Sequence, residues 1–358
     1  MLRRAIELAG KGAGLVAPNP MVGAVVVRDG ELIGEGFHAE LGGAHAEVAA
    51  LADCAARGAD PAGATMVVTL EPCAHHGRQP PCTDAIIAAG IARVVIGCED
   101  PTDKASGRGP GILRDEGVDV VFAEGAEAST ARMLDQAFRK HSRTAKPLVI
   151  HKAAVSLDGA TATASGHSRW ISGPESREQV HRWRAEAGAI AIGIETAVAD
   201  DPMLTARAVD APRQPLRVVF DREARLPLGS QLVATAAQTP VLVLAGAQAP
   251  SARAEALRGA GVEVAGAATI AAALEELGSR GINSLLLEGG ATLAGAFLAA
   301  GEIDELRLFL APVLLGGAGR PLYGGDAPER IEDAIRPLDM TSEPSGADLL
   351  VRARLREW

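Results

Sequence analysis

The sequence predicts an α/β protein built as two domains, and three observations carry that expectation. The chain has 358 residues, more than the roughly 100–200 of one ordinary domain. Short apolar runs alternate with Ala-rich helical stretches along its length, the pattern of strands joined by crossover helices. A polar, basic stretch from Lys140 to Pro147 interrupts the series. It sets the boundary near residue 145 and gives domains of 1–145 and 146–358.

In the first domain a helix from Arg3 to Gly10 leads through the Pro18-Asn19-Pro20 turn into an apolar strand, Val22 to Val27. Asp29-Gly30 is a two-residue hairpin signal, so Leu32 and Ile33 belong to a returning strand. Helices are then expected at Ala46–Arg57, Asp84–Ala89, Ile112–Glu116 and Glu127 to about Arg139. Strands are expected at Met66–Leu70, Arg93–Gly97 and Val118–Phe122. A hairpin followed by crossover units implies a sheet of mixed direction. The second domain opens with a strand from Leu148 to Leu157 and an Asp158-Gly159 turn, and a helix carries Pro174 in its first turn, where a missing N–H costs nothing. Further strands read at Ala189–Gly193, Leu216–Phe220, Val241–Ala245, Val262–Ala265, Ser284–Leu287, Glu305–Leu310 and Leu349–Leu355.

Composition narrows the function. With 47% hydrophobic and 22% charged residues the chain can bury a core, and its net charge of −10 is shared by two acidic halves. Phosphate-backbone affinity comes from clustered Lys and Arg, so a nucleic-acid binder is disfavoured. Arg3 and Arg4 near the start are followed by Glu7 and Lys11, which break any leader-like apolar region. No apolar run approaches the ~18 residues of a membrane helix, and a cytoplasmic protein is expected. Four cysteines, at 54, 73, 82 and 98, are too few for a disulfide framework.

The strongest chemical signal is His45-Ala46-Glu47, then Pro72-Cys73, then Cys82. One imidazole and two thiolates suit tetrahedral Zn²⁺ with a fourth position open to water, the mark of a catalytic site. Glu47, two residues past the histidine, is the expected proton shuttle, because deamination needs a group that takes a proton from water and returns it to departing ammonia. His45 and Cys73 are both expected at helix starts, where the dipole favours a thiolate. Cys54 and Cys98 read as ordinary buried thiols. A structural zinc with His75 or His76 as fourth ligand stays open. The known zinc-deaminase signature is H-x-E with P-C-x-x-C. Here the cysteines stand nine positions apart, and the intervening AHHGRQPP holds two histidines and an arginine.

The second half offers ingredients without one motif. Glu288-Gly289-Gly290-Ala291-Thr292-Leu293 follows an apolar strand and opens a helix, so free backbone N–H groups there could hold a dinucleotide pyrophosphate. Asp221-Arg222 ends the strand at Leu216–Phe220, where an arginine can meet an adenosine 2′-phosphate.

The run PNPMVGAVVV, then HAE, then EPCAHHGRQPPCTDAI resembles the pyrimidine deaminase domain of the bifunctional riboflavin-biosynthesis deaminase/reductase family. The segments HKAAVSLDGATATASGHSRWIS, GIETAVADDPMLTAR, LRVVFD, LLLEGGATLAGAFL and LRLFLAPVLLGG resemble its reductase domain, in order. The resemblance implies a cytidine-deaminase-like α/β/α domain followed by a dihydrofolate-reductase-like α/β domain. It implies that the first removes the 2-amino group of 2,5-diamino-6-ribosylamino-4(3H)-pyrimidinone 5′-phosphate and the second reduces 5-amino-6-(5-phosphoribosylamino)uracil with NADPH. By position, Asn19, His75 and Arg78 would meet the deaminase substrate. Ala154, Trp170, Thr196, Asp200, Arg222 and the run Gly290, Ala291, Thr292, Leu293, Ala294, Gly295 and Ala296 would line NADPH. Lys152, Ser168, Arg184, Leu204, Arg207 and Glu288 would line the reductase substrate. Lys152 and Asp200 are the titratable groups that could supply its proton. The expected partners are small phosphorylated pyrimidines and further copies of the chain, with no nucleic acid or membrane. The competing reading, a nucleic-acid-directed zinc deaminase with a C-terminal binding domain, would need a basic, aromatic surface, yet aromatics total 3%. A non-enzymatic zinc-stabilised scaffold is the third; removing zinc would unfold it.

Overall fold

A computed structural model describes residues 1–77, 79–102 and 105–358. It divides into two compact units, residues 1–145 with Trp358, and residues 146–357.

The first unit runs α1 (Leu2–Gly10), β1 (Gly23–Arg28), β2 (Glu31–Phe37), α2 (Ala46–Ala56), β3 (Thr65–Leu70), α3 (Cys82–Ala88), β4 (Arg93–Cys98), α4 (Arg108–Asp115), β5 (Asp119–Phe122), α5 (Gly125–Leu134) and α6 (Gln136–Thr144). Its sheet has the order β2-β1-β3-β4-β5. The β1–β2 and β1–β3 pairs are antiparallel and β3, β4 and β5 are parallel, the mixed sheet that a hairpin followed by crossovers requires. Asp29 and Gly30 both take positive φ, 52° and 85°, as a tight two-residue hairpin turn demands. Helix α2 lies directly on β2: a Cβ at Gly34 would collide with Cys54, and one at Gly36 with the Ala50 backbone. That close seating fixes how α2 lies on the sheet.

The single helix expected from Glu127 to Arg139 is two. Asp135 leaves helical geometry (φ −106°, ψ 26°) and its carboxylate accepts the Met21 N–H at 2.8 Å. A tertiary partner 114 residues away breaks the helix, which no local periodicity reveals. The first part of the polar stretch, to Thr144, belongs to α6, and the two units divide after Ala145, where the boundary was expected.

The second unit runs β6 (Leu148–Ser156), α7 (Pro174–Glu186), β7 (Ala189–Gly193), α8 (Ile194–Asp200), β8 (Leu216–Phe220), α9 (Gln231–Ala234), β9 (Val241–Ala245), α10 (Ser251–Gly259), β10 (Glu263–Gly266), α11 (Ile270–Ser279), β11 (Ser284–Leu287), α12 (Ala291–Ala299), β12 (Glu305–Ala311), a 3₁₀ turn at Ile331–Asp333, β13 (Asp339–Ser345) and β14 (Asp348–Arg354). The sheet order is β10-β9-β8-β7-β11-β6-β12-β14-β13. The strands from β10 to β12 pair in parallel, and β14 and β13 add antiparallel at the edge. Parallel strands need cover on both faces, which the fully buried runs of β7 and β9 reflect. The parallel strands end at one edge, so the loops after β7, β8 and β11 gather there, where open α/β sheets place ligands. Strand β13 was not legible: it is polar, exposed and holds Pro344, an edge strand without a buried face.

Among the described residues, no helix is long and apolar enough to cross a membrane.

Candidate functional site

In the first unit, His45 is the N-cap of α2 and Glu47 stands in that helix's first turn. Cys82 opens α3, whereas Cys73 lies in the loop between β3 and α3. The expectation that Cys73 begins a helix is therefore corrected: the long insert carries the chain around so that the second cysteine takes that place. His45 Nδ1 lies 3.2 Å from Cys82 Sγ and 3.5 Å from Cys73 Sγ, and the Cys82 N–H donates to Cys73 Sγ at 3.3 Å. The three donor atoms lie within 4.8 Å of one another. Tetrahedral zinc with thiolate and imidazole bonds of ~2.3 and ~2.0 Å separates its ligands by about 3.5–3.8 Å, so the residues present fit that ion. His75 and His76 are exposed and do not join the group. Three protein ligands leave one position free.

The electrostatics agree with a cation there. Hydrogen bonding to Cys82 and to His45 lowers the Cys73 thiol, while hydrogen bonding to Cys73 and burial raise Cys82. A positive ion draws both to thiolates. Glu47 is 3% exposed, and burial pushes its carboxyl up to about 7. That is the range in which a group both takes and gives a proton.

Asn19 lies beside this group through a residue the sequence did not single out. The His38 Nδ1–H donates to the Ala44 carbonyl at 3.0 Å, leaving Nε2 to accept from Asn19 Nδ2 at 3.2 Å, and the His38 ring meets His45 edge to face with centroids 5.4 Å apart. A lone histidine on a short strand's flank carries no periodic signal. His75 is exposed on the loop; Arg78 lies outside the described residues.

In the second unit Glu288, just past β11, is clamped by Arg184 of α7 (Nε–Oε1 2.7 Å, Nη2–Oε2 2.9 Å) and faces Lys152 of β6 at 3.4 Å. Arg184 also reaches the Thr205 carbonyl at 3.3 Å. Burial raises the Glu288 carboxyl, but the two cations outweigh it and hold it near 2. Two cations around one buried carboxylate leave the trio with positive charge, suited to an anionic substrate. Thr196 of α8 sits against the N-cap of α12, its Oγ1 3.4 Å from a Cβ position on Gly290. Gly290 caps α12 without a side-chain bond, so the N–H groups of Ala291, Thr292 and Leu293 have no side-chain cap. Asp200 is tied to the Trp170 segment by Arg169, which donates to its carbonyl at 2.8 Å, while Trp170 is exposed under Arg177, 4.9 Å from its ring. Ala154 shares the Lys152 face of β6 two residues on. Ser168 is half-buried, and the Arg207 N–H donates to His181 Nδ1 at 3.2 Å, with the Arg207 side chain exposed. Leu204 is packed in the core at a positive φ of 51°, so only its backbone is free to line a ligand. Arg222 is exposed after β8, and among the described residues the ion pairs of Glu288 are with Arg184 and Lys152.

Comparison with known proteins covers both units. Residues 1–98 match the cytidine and deoxycytidylate deaminase zinc-binding region, and residues 147–350 match the RibD C-terminal domain. The chain is 41% identical to riboflavin biosynthesis protein RibD of Escherichia coli (strain K12), covering 93% of this chain and 92% of that protein. It is 40% identical to the Actinobacillus pleuropneumoniae protein of the same name, covering 98% and 93%. Among solved structures, Acinetobacter baumannii RibD, form 1, has a TM-score of 0.88 at 38% identity, covering 99% of this chain and 98% of that one. A Thermotoga maritima diaminohydroxyphosphoribosylaminopyrimidine deaminase/5-amino-6-(5-phosphoribosylamino)uracil reductase has 0.85 at 36%, covering 99% and 97%. A zinc-binding deaminase region followed by a reductase domain, matched along nearly the whole length of such relatives, places the chain in the RibD family of bifunctional riboflavin-biosynthesis enzymes.

Proposed function

We propose that the unit of residues 1–145 hydrolyses the 2-amino group from 2,5-diamino-6-ribosylamino-4(3H)-pyrimidinone 5′-phosphate and that residues 146–358 reduce the resulting 5-amino-6-(5-phosphoribosylamino)uracil with NADPH. The observation that carries the first step is the convergence of His45, Cys73 and Cys82 beside the buried Glu47 in the first turn of α2. Those three side chains would hold zinc, which supplies Lewis acidity and a water made nucleophilic at neutral pH. Glu47 accepts a proton from the water that attacks C2 and delivers it to the departing ammonia. Asn19, its amide oriented by His38, holds the pyrimidine edge. His75 and Arg78 take the substrate's polar groups and phosphate.

For the second step NADPH supplies the hydride, which goes to C1′ of the ring-opened ribose while a proton goes to the attached nitrogen. Lys152 is the better proton donor of the two expected, because it lies inside the Arg184–Glu288 group while Asp200 is exposed and paired to Arg169. Glu288 fixes the Lys152 ammonium, and Arg184 and Arg207 face the phosphate. Ser168 and the Leu204 backbone complete that pocket. The uncapped start of α12 receives the pyrophosphate, with Thr196, Ala154, Trp170 and Asp200 around the rest of the dinucleotide and Arg222 reading the 2′-phosphate. The protein works in the cytoplasm as a homo-oligomer without nucleic acid; its acidic halves support the last point.

The test supplies purified protein with the diaminopyrimidinone phosphate, with and without NADPH, and follows ammonia release and NADPH oxidation separately. Release in both cases, with oxidation only when NADPH is present, is expected. Ammonia without oxidation would leave only the deaminase reading standing.

A further inference from the structure

The buried face of β6 opposite Lys152 carries a second polar group that the reaction does not use. His151 is fully buried, and its Nδ1 lies 3.0 Å from the Tyr323 hydroxyl, with the two rings 5.2 Å apart. Among the described residues its Nε2 has no hydrogen-bond partner. Tyr323 packs against a core cluster that holds Val149, on the same strand face as His151, and Phe297 of α12, with Leu293 of α12 packed beside it. A polar pair in such a place is costly to desolvate, and one made bond is what offsets that cost.

The residue after Tyr323 touches the start of α12. The Gly324 N–H donates to the Ala291 carbonyl at 2.8 Å, and a Cβ on Gly295 would collide with the Gly324 carbonyl oxygen. Backbone is thus laid on backbone along the first turns of α12, the same turns whose N–H groups the proposed NADPH site uses. Nothing wider than glycine fits at 295.

We infer that Tyr323 and His151 are positioning residues for the dinucleotide: their bond anchors Gly324 against α12 and so sets where the free N–H groups of Ala291, Thr292 and Leu293 stand. The inference rests on the reading of α12 as the pyrophosphate site. A misplaced anion-binding turn costs affinity for the cofactor, while the hydride step, once NADPH is bound, depends on the Lys152–Glu288 side of the sheet.

The test uses the full-length protein. Tyr323→Phe is expected to raise the NADPH dissociation constant about tenfold, measured by quenching of protein fluorescence, and to speed amide hydrogen exchange over residues 291–296 in the cofactor-free protein. The rate of NADPH oxidation at saturating cofactor stays within about twofold, and ammonia release, made by the other unit, is unchanged. Gly295→Ala, which forces Gly324 away from α12, moves affinity and exchange the same way and decides the matter if Tyr323→Phe unfolds the second unit. Unchanged affinity and unchanged exchange in a folded variant would overturn the inference. Thr292→Glu separates the underlying assignment: a carboxylate added to that exposed turn weakens NADPH binding if the pyrophosphate sits there. If it does not, the site assignment falls, while the exchange measurement still reports whether Tyr323 holds α12.

Discussion

The two halves of this molecule build their chemistry in opposite ways. In the first, three donor atoms fit for a metal ion and a buried carboxyl come from two short stretches, His45–Glu47 and Cys73–Cys82, each held at or beside a helix start. In the second, Lys152, Arg184 and Glu288 are up to 136 positions apart and meet only because β6 and β11 are neighbours in the sheet. A motif can therefore announce a metal centre, since ligand type and local geometry are dictated by the ion. A pocket assembled by topology has no such local rule. The metal-type site should tolerate little change in atoms, whereas the assembled site should fail through stability as much as through chemistry.

The sharpest way to separate the halves is to remove the metal. A strong chelator should abolish ammonia release and leave NADPH oxidation of separately supplied reductase substrate intact; far-ultraviolet circular dichroism should show the first unit still folded. Collapse of that unit on chelation would instead favour a structural ion. Next in size, Glu47→Gln should lower deamination by about 10²–10⁴-fold with zinc content by elemental analysis unchanged. A variant with normal turnover removes Glu47 from the proton path.

In the second half, Glu288→Ala leaves Arg184 and Lys152 as uncompensated, largely buried charges. It should cost the second unit about 3–5 kcal/mol in urea unfolding, as well as its reductase activity. Full stability would mean that the trio is not electrostatically coupled. The smallest effect is one of pH, and its sign differs between the halves. Burial, with Lys152 adjacent, depresses His151 to about 4. The unfolded histidine thus binds a proton first, and stability falls as pH drops from about 6.5 towards 4, by on the order of 3 kcal/mol at most. Burial raises Asp135 in the first unit to about 7, so its contribution is present in acid and lost as pH rises through 7. Asp135→Asn should raise first-unit stability at pH 8 relative to pH 5, and His151→Phe should flatten the acid slope of the second unit. Parallel slopes in variant and parent would show that neither group titrates as its burial dictates.

Much of the fold could be read from local pattern because its strands are buried runs such as Val241–Ala245 and its turns use obligatory residues such as Asp29-Gly30. What escaped was decided at a distance. The break at Asp135 exists for the Met21 N–H, β13 exists only as the partner of β14, and His38 matters because it orients Asn19. At the candidate sites, His45, Cys73 and Cys82 were legible as a set, while the positions of Thr196 against Gly290 and Leu204 within the core needed the chain traced.

The position of β11 has a consequence for how the chain comes into being. It lies between β7 and β6, yet its residues, Ser284–Leu287, are synthesised about a hundred positions after β7. Neither β6 nor β7 has its central partner until the ribosome has delivered that stretch. At translation speeds of about 5–20 residues per second, the first unit's hairpin-led sheet can be finished for several seconds while the second waits with two apolar edges open. During that interval the strand edges that β11 will cover stay unpaired, the condition in which nascent chains are prone to aggregate.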